Sequence, residues 1–137
     1  MRRLDLSIHN QLADIPVVQE SFRAFVEECH LGIEQHRQWA ILIDELLTNI
    51  ISYAYKDTET HIIQITFEHQ TNQLVLIFQD DGETFNPLDY KDVVPFESIA
   101  TPSAGGLGIR LIRHFAEHLY YERRNDFNIL KISKGLS

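Results

Sequence analysis

Two pairs of short segments with alternating polarity limit the fold of this chain more than any other feature of its sequence. In the first pair, apolar and polar residues alternate over 63–67, and a more apolar run over 74–78 follows a turn at 71–73. The second pair, 119–123 and 127–132, is separated by the sequence Arg-Asn-Asp. A period of two is typical of strands, and this spacing predicts two antiparallel hairpins. A doubly wound parallel sheet is therefore disfavoured.

The remaining segments predict helices that cover this sheet. Alternation over 4–8 indicates a first strand, and Asp14 and Pro16 are suited to the N-cap and first turn of a helix. Helical spacing of apolar residues predicts three helices, over about 14–32, 34–55 and 107–119. The order strand, helix, helix, hairpin, loop, helix, hairpin predicts an α+β fold: a two-layer sandwich of a mostly antiparallel sheet with helices on one face.

Composition narrows the function classes. With 137 residues and 44% hydrophobic content, the chain is expected to form a single domain over residues 1–137. A net charge of −8 argues against direct nucleic-acid binding and favours a basic protein partner. The single cysteine, Cys29, excludes an internal disulfide and fits a reducing compartment. Neither a signal peptide nor a membrane span is predicted, so a cytoplasmic location is expected.

The second predicted helix carries two polar residues, Glu45 and Asn49, in an otherwise apolar segment. Positions i and i+4 lie within about 40° of each other on a helix, so the two side chains share one side. They are expected at the edge of an apolar face, where a buried stripe meets a cleft; that face is formed by Leu42, Leu46, Ile50 and Tyr53. A solvated helix face is the alternative interpretation of such a pair.

Two glycine-containing segments follow. Asp80-Asp81-Gly82 ends a predicted buried strand, where a carboxylate suits an exocyclic amino donor such as that of adenine, although Asp-Gly also occurs in ordinary turns. The sequence at 105–108, Gly-Gly-Leu-Gly, precedes a helix, where backbone N–H groups can bind an anion. A flexible start of the helix is the simpler alternative. The long aperiodic segment 89–104 is predicted to be a lid.

Taken together in this order, these elements resemble the GHKL ATP-binding superfamily, with its Bergerat-type fold, and most closely its bacterial anti-sigma-factor serine/threonine kinases. The superfamily's N-box is matched by Glu45-Leu-Leu-Thr-Asn49, and its Asp-x-Gly box by Asp80-Asp81-Gly82. Its Gly-x-Gly box is matched by Gly106-Leu107-Gly108. Thr84 stands where many members of the superfamily have a second glycine, which is a departure also tolerated in the kinase branch.

The resemblance implies ATP and Mg²⁺ as cofactors and a role for each matched residue. Glu45 would be the general base, and Asn49 would ligate Mg²⁺ through its side-chain oxygen. Asp80 would accept a hydrogen bond from the adenine amino group, and Gly82 would let the ring approach the backbone. Asn128, a looser match on a late strand, would help to hold adenine. Three residues would cradle the phosphates: Gly106, Leu107 and Gly108.

The function that the resemblance implies is that of an ATP-dependent anti-sigma factor and serine/threonine protein kinase. It would sequester a sigma factor or similar regulator and phosphorylate a serine on a small antagonist protein of the anti-anti-sigma type; a homodimer is also implied. Two alternatives remain: a nucleotide-gated binding module without phosphate transfer, and the ATPase domain of a larger system. His114 and His118, spaced by one turn of a predicted helix, are assigned to a solvated face rather than to zinc.

Overall fold

The computed structural model describes residues 1–86 and 114–136. Within these residues, five antiparallel strands form one sheet in the order β1-β2-β3-β5-β4, and helices are packed on it, which confirms the predicted α+β class. A short 3-10 turn, Leu12–Asp14, precedes the first helix. The elements in chain order are β1 (Arg2–His9), α1 (Ile15–Glu28), α2 (Ile33–Tyr53), β2 (Ile62–Gln70), β3 (Gln73–Asp80), β4 (His118–Arg124) and β5 (Phe127–Gly135).

Both predicted hairpins are present. Strands β2 and β3 are joined by a two-residue turn, since Gln70 pairs with Gln73, and β4 and β5 are joined in the same way between Arg124 and Phe127. In the second turn both central residues, Asn125 and Asp126, have positive φ angles of 51° and 66°. Asn and Asp tolerate this conformation better than other non-glycine residues, which explains why the sequence Arg-Asn-Asp turns here.

The core lies between the helices and one face of the sheet. Phe22 of α1 packs on Phe67 of β2 with ring centroids 5.1 Å apart, and Trp39 of α2 meets Phe115 edge to face at 5.1 Å. Inward residues alternate with outward ones in β2, as is typical of a half-covered sheet, whereas three consecutive residues of β3, Leu74, Val75 and Leu76, are all buried. The largest fully buried side chains are Trp39, Phe22, Phe67, Phe78, Leu42, Ile43, Leu46 and Leu47.

Asp14 occupies the predicted N-cap position of α1, although its Oδ2 accepts a hydrogen bond from the backbone N–H of His9 at 2.9 Å instead of capping the helix. Two local predictions are wrong. Tyr53 is 50% exposed, so it does not belong to the apolar face of α2. His118 is not on the helix of His114, because that helix ends at Phe115 and His118 begins β4. Pairing of β4 with β5 overrides the helical spacing there.

The sheet places one set of strand ends beside the end of α2. Asp80 is the last residue of β3, and it pairs with Asn128 near the start of β5. The segment after β3 reaches α2 directly, since the N–H of Glu83 donates to the carbonyl oxygen of Ala54 at 2.7 Å. None of the helices within residues 1–86 and 114–136 combines the length and apolar character that a bilayer crossing requires.

Candidate functional site

The polar pair of α2 has the placement that its sequence predicts. Asn49 is only 5% exposed, and Glu45 is half-buried at the edge of the apolar face. Within the described part of the chain, the carboxamide of Asn49 makes no hydrogen bond. The carboxamide is therefore available to a ligand.

The surroundings of Glu45 raise the pKa of its carboxyl group. Its removal from water raises its pKa above the ordinary value of 4.5, and repulsion from the neighbouring Asp44 adds to the effect. A general base works best when its pKa approaches the working pH, because it is then ionised and still basic. The upward direction of the pKa shift of Glu45 is the one that would suit a proton acceptor.

The carboxylate of Asp80 is hydrogen-bonded to the protein through one of its two oxygens. It is 3% exposed, and its Oδ1 accepts hydrogen bonds from the N–H of Gly82 at 3.0 Å and from the Nδ2 of Asn128 at 2.9 Å. Neither bond uses Oδ2. Burial raises the pKa of Asp80, while these two bonds oppose the rise because they favour the ionised form. Such a carboxylate can accept one further hydrogen bond from an amino group.

Asn128 is the centre of a hydrogen-bond network at the end of β3. Its Nδ2 donates to Oδ1 of Asp80 and, at 2.8 Å, to the carbonyl oxygen of Glu83. Its Oδ1 accepts from the N–H of Phe85 at 3.1 Å and from the hydroxyl of Tyr121 at 2.5 Å. Both donor hydrogens and both acceptor positions of the amide are thus used within the protein. Asn128 positions Asp80 and the segment that follows it.

Packing alone requires a glycine at position 82, whether or not a ligand binds nearby. A Cβ at this position would lie 2.6 Å from the carbonyl oxygen and 2.7 Å from the Cβ of Ala54. Both are atoms of a helix end that cannot yield as a flexible side chain would. Across the sheet, Nη1 of Arg123 donates to the carbonyl oxygen of Gly82 at 2.7 Å. The turn at 80–82 is therefore held between α2 and β4.

Replacing Gly82 with alanine is expected to destabilise the protein by about 1–3 kcal/mol, the usual cost of overpacking. The added methyl group must displace either the 80–82 turn or the end of α2. Urea unfolding monitored by Trp39 fluorescence measures the loss. Gly135→Ala is the matched control, because there the new methyl group meets only the movable carboxylate of Glu117 at 3.1 Å. Equal stability of the two variants would contradict this packing argument.

Several residues around the site were missed by sequence reasoning. Tyr55 has a buried hydroxyl without a hydrogen-bond partner in residues 1–86 and 114–136, and burial raises its pKa, with Asp80 and Asp81 adding repulsion. Arg123 and Tyr121 contact the turn and Asn128 from β4. Counting back from the β4–β5 turn would have placed Arg123 opposite Asn128, since hairpin register follows from turn length.

The structure places the end of α2 against the turn that follows Asp80. Asn49 precedes Ala54 by about 7.5 Å of helix rise, and Ala54 contacts Gly82, which follows Asp80 by two residues. The predicted phosphate-binding residues and the lid over 89–104 lie outside the described residues, and their roles stay predictions. Those phosphate-binding residues are Gly106, Leu107 and Gly108.

The residues present fit a magnesium nucleotide. Asn49 offers a neutral oxygen, which is a hard ligand of the kind that Mg²⁺ takes together with phosphate oxygens and water. In the described ranges, one group of three His, Cys, Asp or Glu side chains lies close enough to share an ion, and it consists of Asp57, Glu59 and His61. Glu45 is outside that group. A metal at Asn49 would therefore depend on ligands supplied by the nucleotide.

Comparison with known proteins matches residues 8–134 to the family described as the histidine kinase-like ATPase domain. A relative by sequence is the serine/threonine-protein kinase BtrW of Bordetella bronchiseptica, 31% identical over 90 residues, which are 66% of this chain and 63% of BtrW. This chain therefore matches less than two thirds of that kinase's length.

Solved histidine kinases have a similar fold. The blue-light activated histidine kinase of Erythrobacter litoralis is similar with a TM-score of 0.58 and 21% identity, over 78% of this chain and 32% of that one. The Acinetobacter baumannii histidine kinase AdeS has a TM-score of 0.53 and 15% identity, over 100% of this chain and 70% of the other. At these identities the likeness shows the fold alone.

Proposed function

This chain belongs to the family of histidine kinase-like ATPase domains, and from that premise we propose that it is an ATP-dependent serine/threonine protein kinase of the anti-sigma-factor type. The observation that supports this proposal most directly is the buried carboxylate of Asp80, which is held by Gly82 and Asn128 through one oxygen only. Its second oxygen is available to the amino group of adenine. Asn49 and Glu45 lie on the helix that packs against the same turn.

Asn49 and Glu45, both on α2, have distinct roles in the proposed transfer. Bound Mg²⁺ would neutralise phosphate charge, and the side-chain oxygen of Asn49 would hold it. The oxygen of a serine hydroxyl attacks the γ-phosphorus; the new O–P bond forms as the bond between that phosphorus and the bridging oxygen of ADP breaks. The hydroxyl proton passes to Glu45, whose raised pKa suits this role.

The choice of serine rests on BtrW, whose name is that of a serine/threonine kinase and which is more similar in sequence than the histidine kinases. The partners in this proposal are a sigma factor or similar regulator, which the protein sequesters, and a small antagonist protein, which it phosphorylates. A net charge of −8 favours a basic surface on the sequestered protein. The proposal also includes a homodimer, and a cytoplasmic location suited to the free, buried Cys29.

Nucleotide binding is expected to depend on Asp80 for the base. Asp80→Asn should weaken ADP binding by about 10- to 100-fold even without metal, because an amide nitrogen would replace the oxygen that accepts from adenine. Isothermal titration of ADP in the presence of a chelator measures this loss. Asp126→Asn, in the exposed β4–β5 turn, is the matched control. Unchanged ADP affinity in Asp80→Asn would rule out the assigned pocket.

The metal-dependent part of the affinity is expected to depend on Asn49. In the wild type, added Mg²⁺ should strengthen ATP binding, and in Asn49→Ala this gain should disappear while metal-free binding is retained. Thr48→Ala is the matched control, because Thr48 is the neighbouring residue of α2 and lines the groove toward α1. A full Mg²⁺ effect in Asn49→Ala would show that the metal is held elsewhere.

A further inference from the structure

His61 lies just before β2 and has a carboxylate on each side of its ring. Its side chain is only 16% exposed. Its Nε2 is 2.8 Å from Oδ1 of Asp57, and its Nδ1 is 3.2 Å from both carboxylate oxygens of Asp81. A neutral imidazole has one N–H, so only the protonated ring can donate to both carboxylates at once. The geometry is therefore that of an imidazolium bridge.

The position of the ring is set by its surroundings. The ring stacks on Tyr55, at the end of α2, with centroids 4.6 Å apart and an angle of 27° between the planes. The backbone of His61 makes two hydrogen bonds to Asn10, the residue after β1. The N–H of His61 donates to Oδ1 of Asn10 at 2.8 Å, and the carbonyl oxygen of His61 accepts from the backbone N–H of Asn10 at 3.1 Å. The ring is therefore held by contacts other than those to the two carboxylates.

One of the two carboxylates belongs to the candidate nucleotide site. Asp81 lies between Asp80, which would accept from adenine, and Gly82, whose N–H fixes Asp80. We propose that His61 is a positioning residue: when protonated it bridges Asp57 and Asp81, holds the 80–82 turn in the conformation that receives adenine, and so makes nucleotide affinity fall with rising pH. This inference rests on the proposed function.

The charges that face His61 determine the direction of this pH dependence. Asp57 and Glu59 approach it from the α2–β2 connection, and Asp81 approaches from the end of β3. Two hydrogen bonds raise the pKa of His61 above 6.5, and the bond to Asp57 contributes more than the bond to Asp81. The bridge is complete below the pKa of the unfolded chain, and its contribution is lost as the pH rises through the higher pKa of the folded state.

His61 and its two carboxylates line a recess of about 490 Å³, and the other charged residues that line it are Lys56, Glu83 and Arg123. The two cations among them have other partners. Lys56 pairs with Glu83 at 3.3 Å, and Arg123 donates to the backbone of Gly82. Within the described part of the chain, neither cation pairs with the carboxylates that flank His61, so the imidazole supplies the positive charge between them.

The experiment compares wild type, His61→Gln and the control His69→Gln, which alters a histidine at the far end of β2. ADP affinity is measured between about pH 6 and about pH 8.5, the range in which histidine titrates. Wild type and His69→Gln should lose about two- to fivefold more affinity across this range than His61→Gln, the size that a partly exposed ion pair contributes. Without nucleotide, the amide NMR signals of Asp81 and Gly82 should titrate together with the His61 ring.

The outcomes separate this inference from the proposed function. If wild type binds no nucleotide at any pH, the proposed function is wrong. If wild type and His61→Gln bind ADP with the same pH dependence, nucleotide binding stands and the positioning role of His61 is wrong. Amide signals of Asp81 that do not follow the His61 ring would also overturn the bridge, independently of nucleotide.

Discussion

Glu45→Gln is expected to lower the rate of phosphate transfer to a protein serine by about 10²–10⁴-fold, the usual contribution of a general base. Glutamine keeps the shape of the side chain but cannot take a proton. Since the proposed pocket binds ATP through Asp80 and Asn49 instead, nucleotide affinity should be retained. Transfer of the γ-phosphate from radiolabelled ATP to the antagonist protein measures the rate. Acid-stable label is expected, because phosphoserine survives acid and phosphohistidine does not.

The matched control for this experiment is Asp44→Asn on the same helix. Asp44 is exposed and acts on Glu45 only by repulsion, so its neutralisation should lower the pKa of Glu45 without removing the base. In wild type the transfer rate should fall as the pH drops through the raised pKa of Glu45, above 4.5. In Asp44→Asn this fall should come at lower pH.

The same assay decides between the competing functions. If wild type binds ATP and its regulator but labels no serine, the protein is a nucleotide-gated binding module. Release of free phosphate without a protein acceptor would indicate an ATPase domain of a larger system. If Glu45→Gln transfers phosphate at the wild-type rate, another residue accepts the proton.

Asn128→Asp is expected to destabilise the protein by about 3–5 kcal/mol at neutral pH, the cost of an unpaired buried charge. The substitution removes the N–H donors to Asp80 and Glu83 and places a second carboxylate about 2.9 Å from the first. Since the two charges repel each other, the folded pKa of the carboxylate pair rises above the unfolded value. The lost stability should return as the pH falls through that raised pKa.

Urea unfolding at several pH values measures this effect. Asn72→Asp is the matched control, because Asn72 lies in the exposed β2–β3 turn and the same added charge should change stability there by less than about 0.5 kcal/mol. A pH-independent loss in Asn128→Asp would mean that packing, rather than charge, is responsible. ADP affinity should fall as well, since Asn128 orients Asp80.

Much of this fold could be predicted from local pattern. Alternating polarity located β2, an apolar run after the first turn located β3, and apolar spacing located α1 and α2. These patterns are informative because each element buries one face, and the burial leaves a period of two or 3.6 residues in the sequence. The same pattern misplaced His118, where helical spacing and strand alternation overlap and pairing with β5 decides the outcome.

The sequence by itself determined the candidate residues of the site: the α2 pair Glu45 and Asn49, and the acidic turn at Asp80. Only the tertiary structure decided how they are held, because their partners are distant in the chain. The amide of Asn128 reaches Asp80 across 48 positions, and the ring of His61 reaches Asp81 across 20. Such contacts follow from strand register and from the docking of α2 on the sheet, and neither is recorded in the local periodicity of a single element.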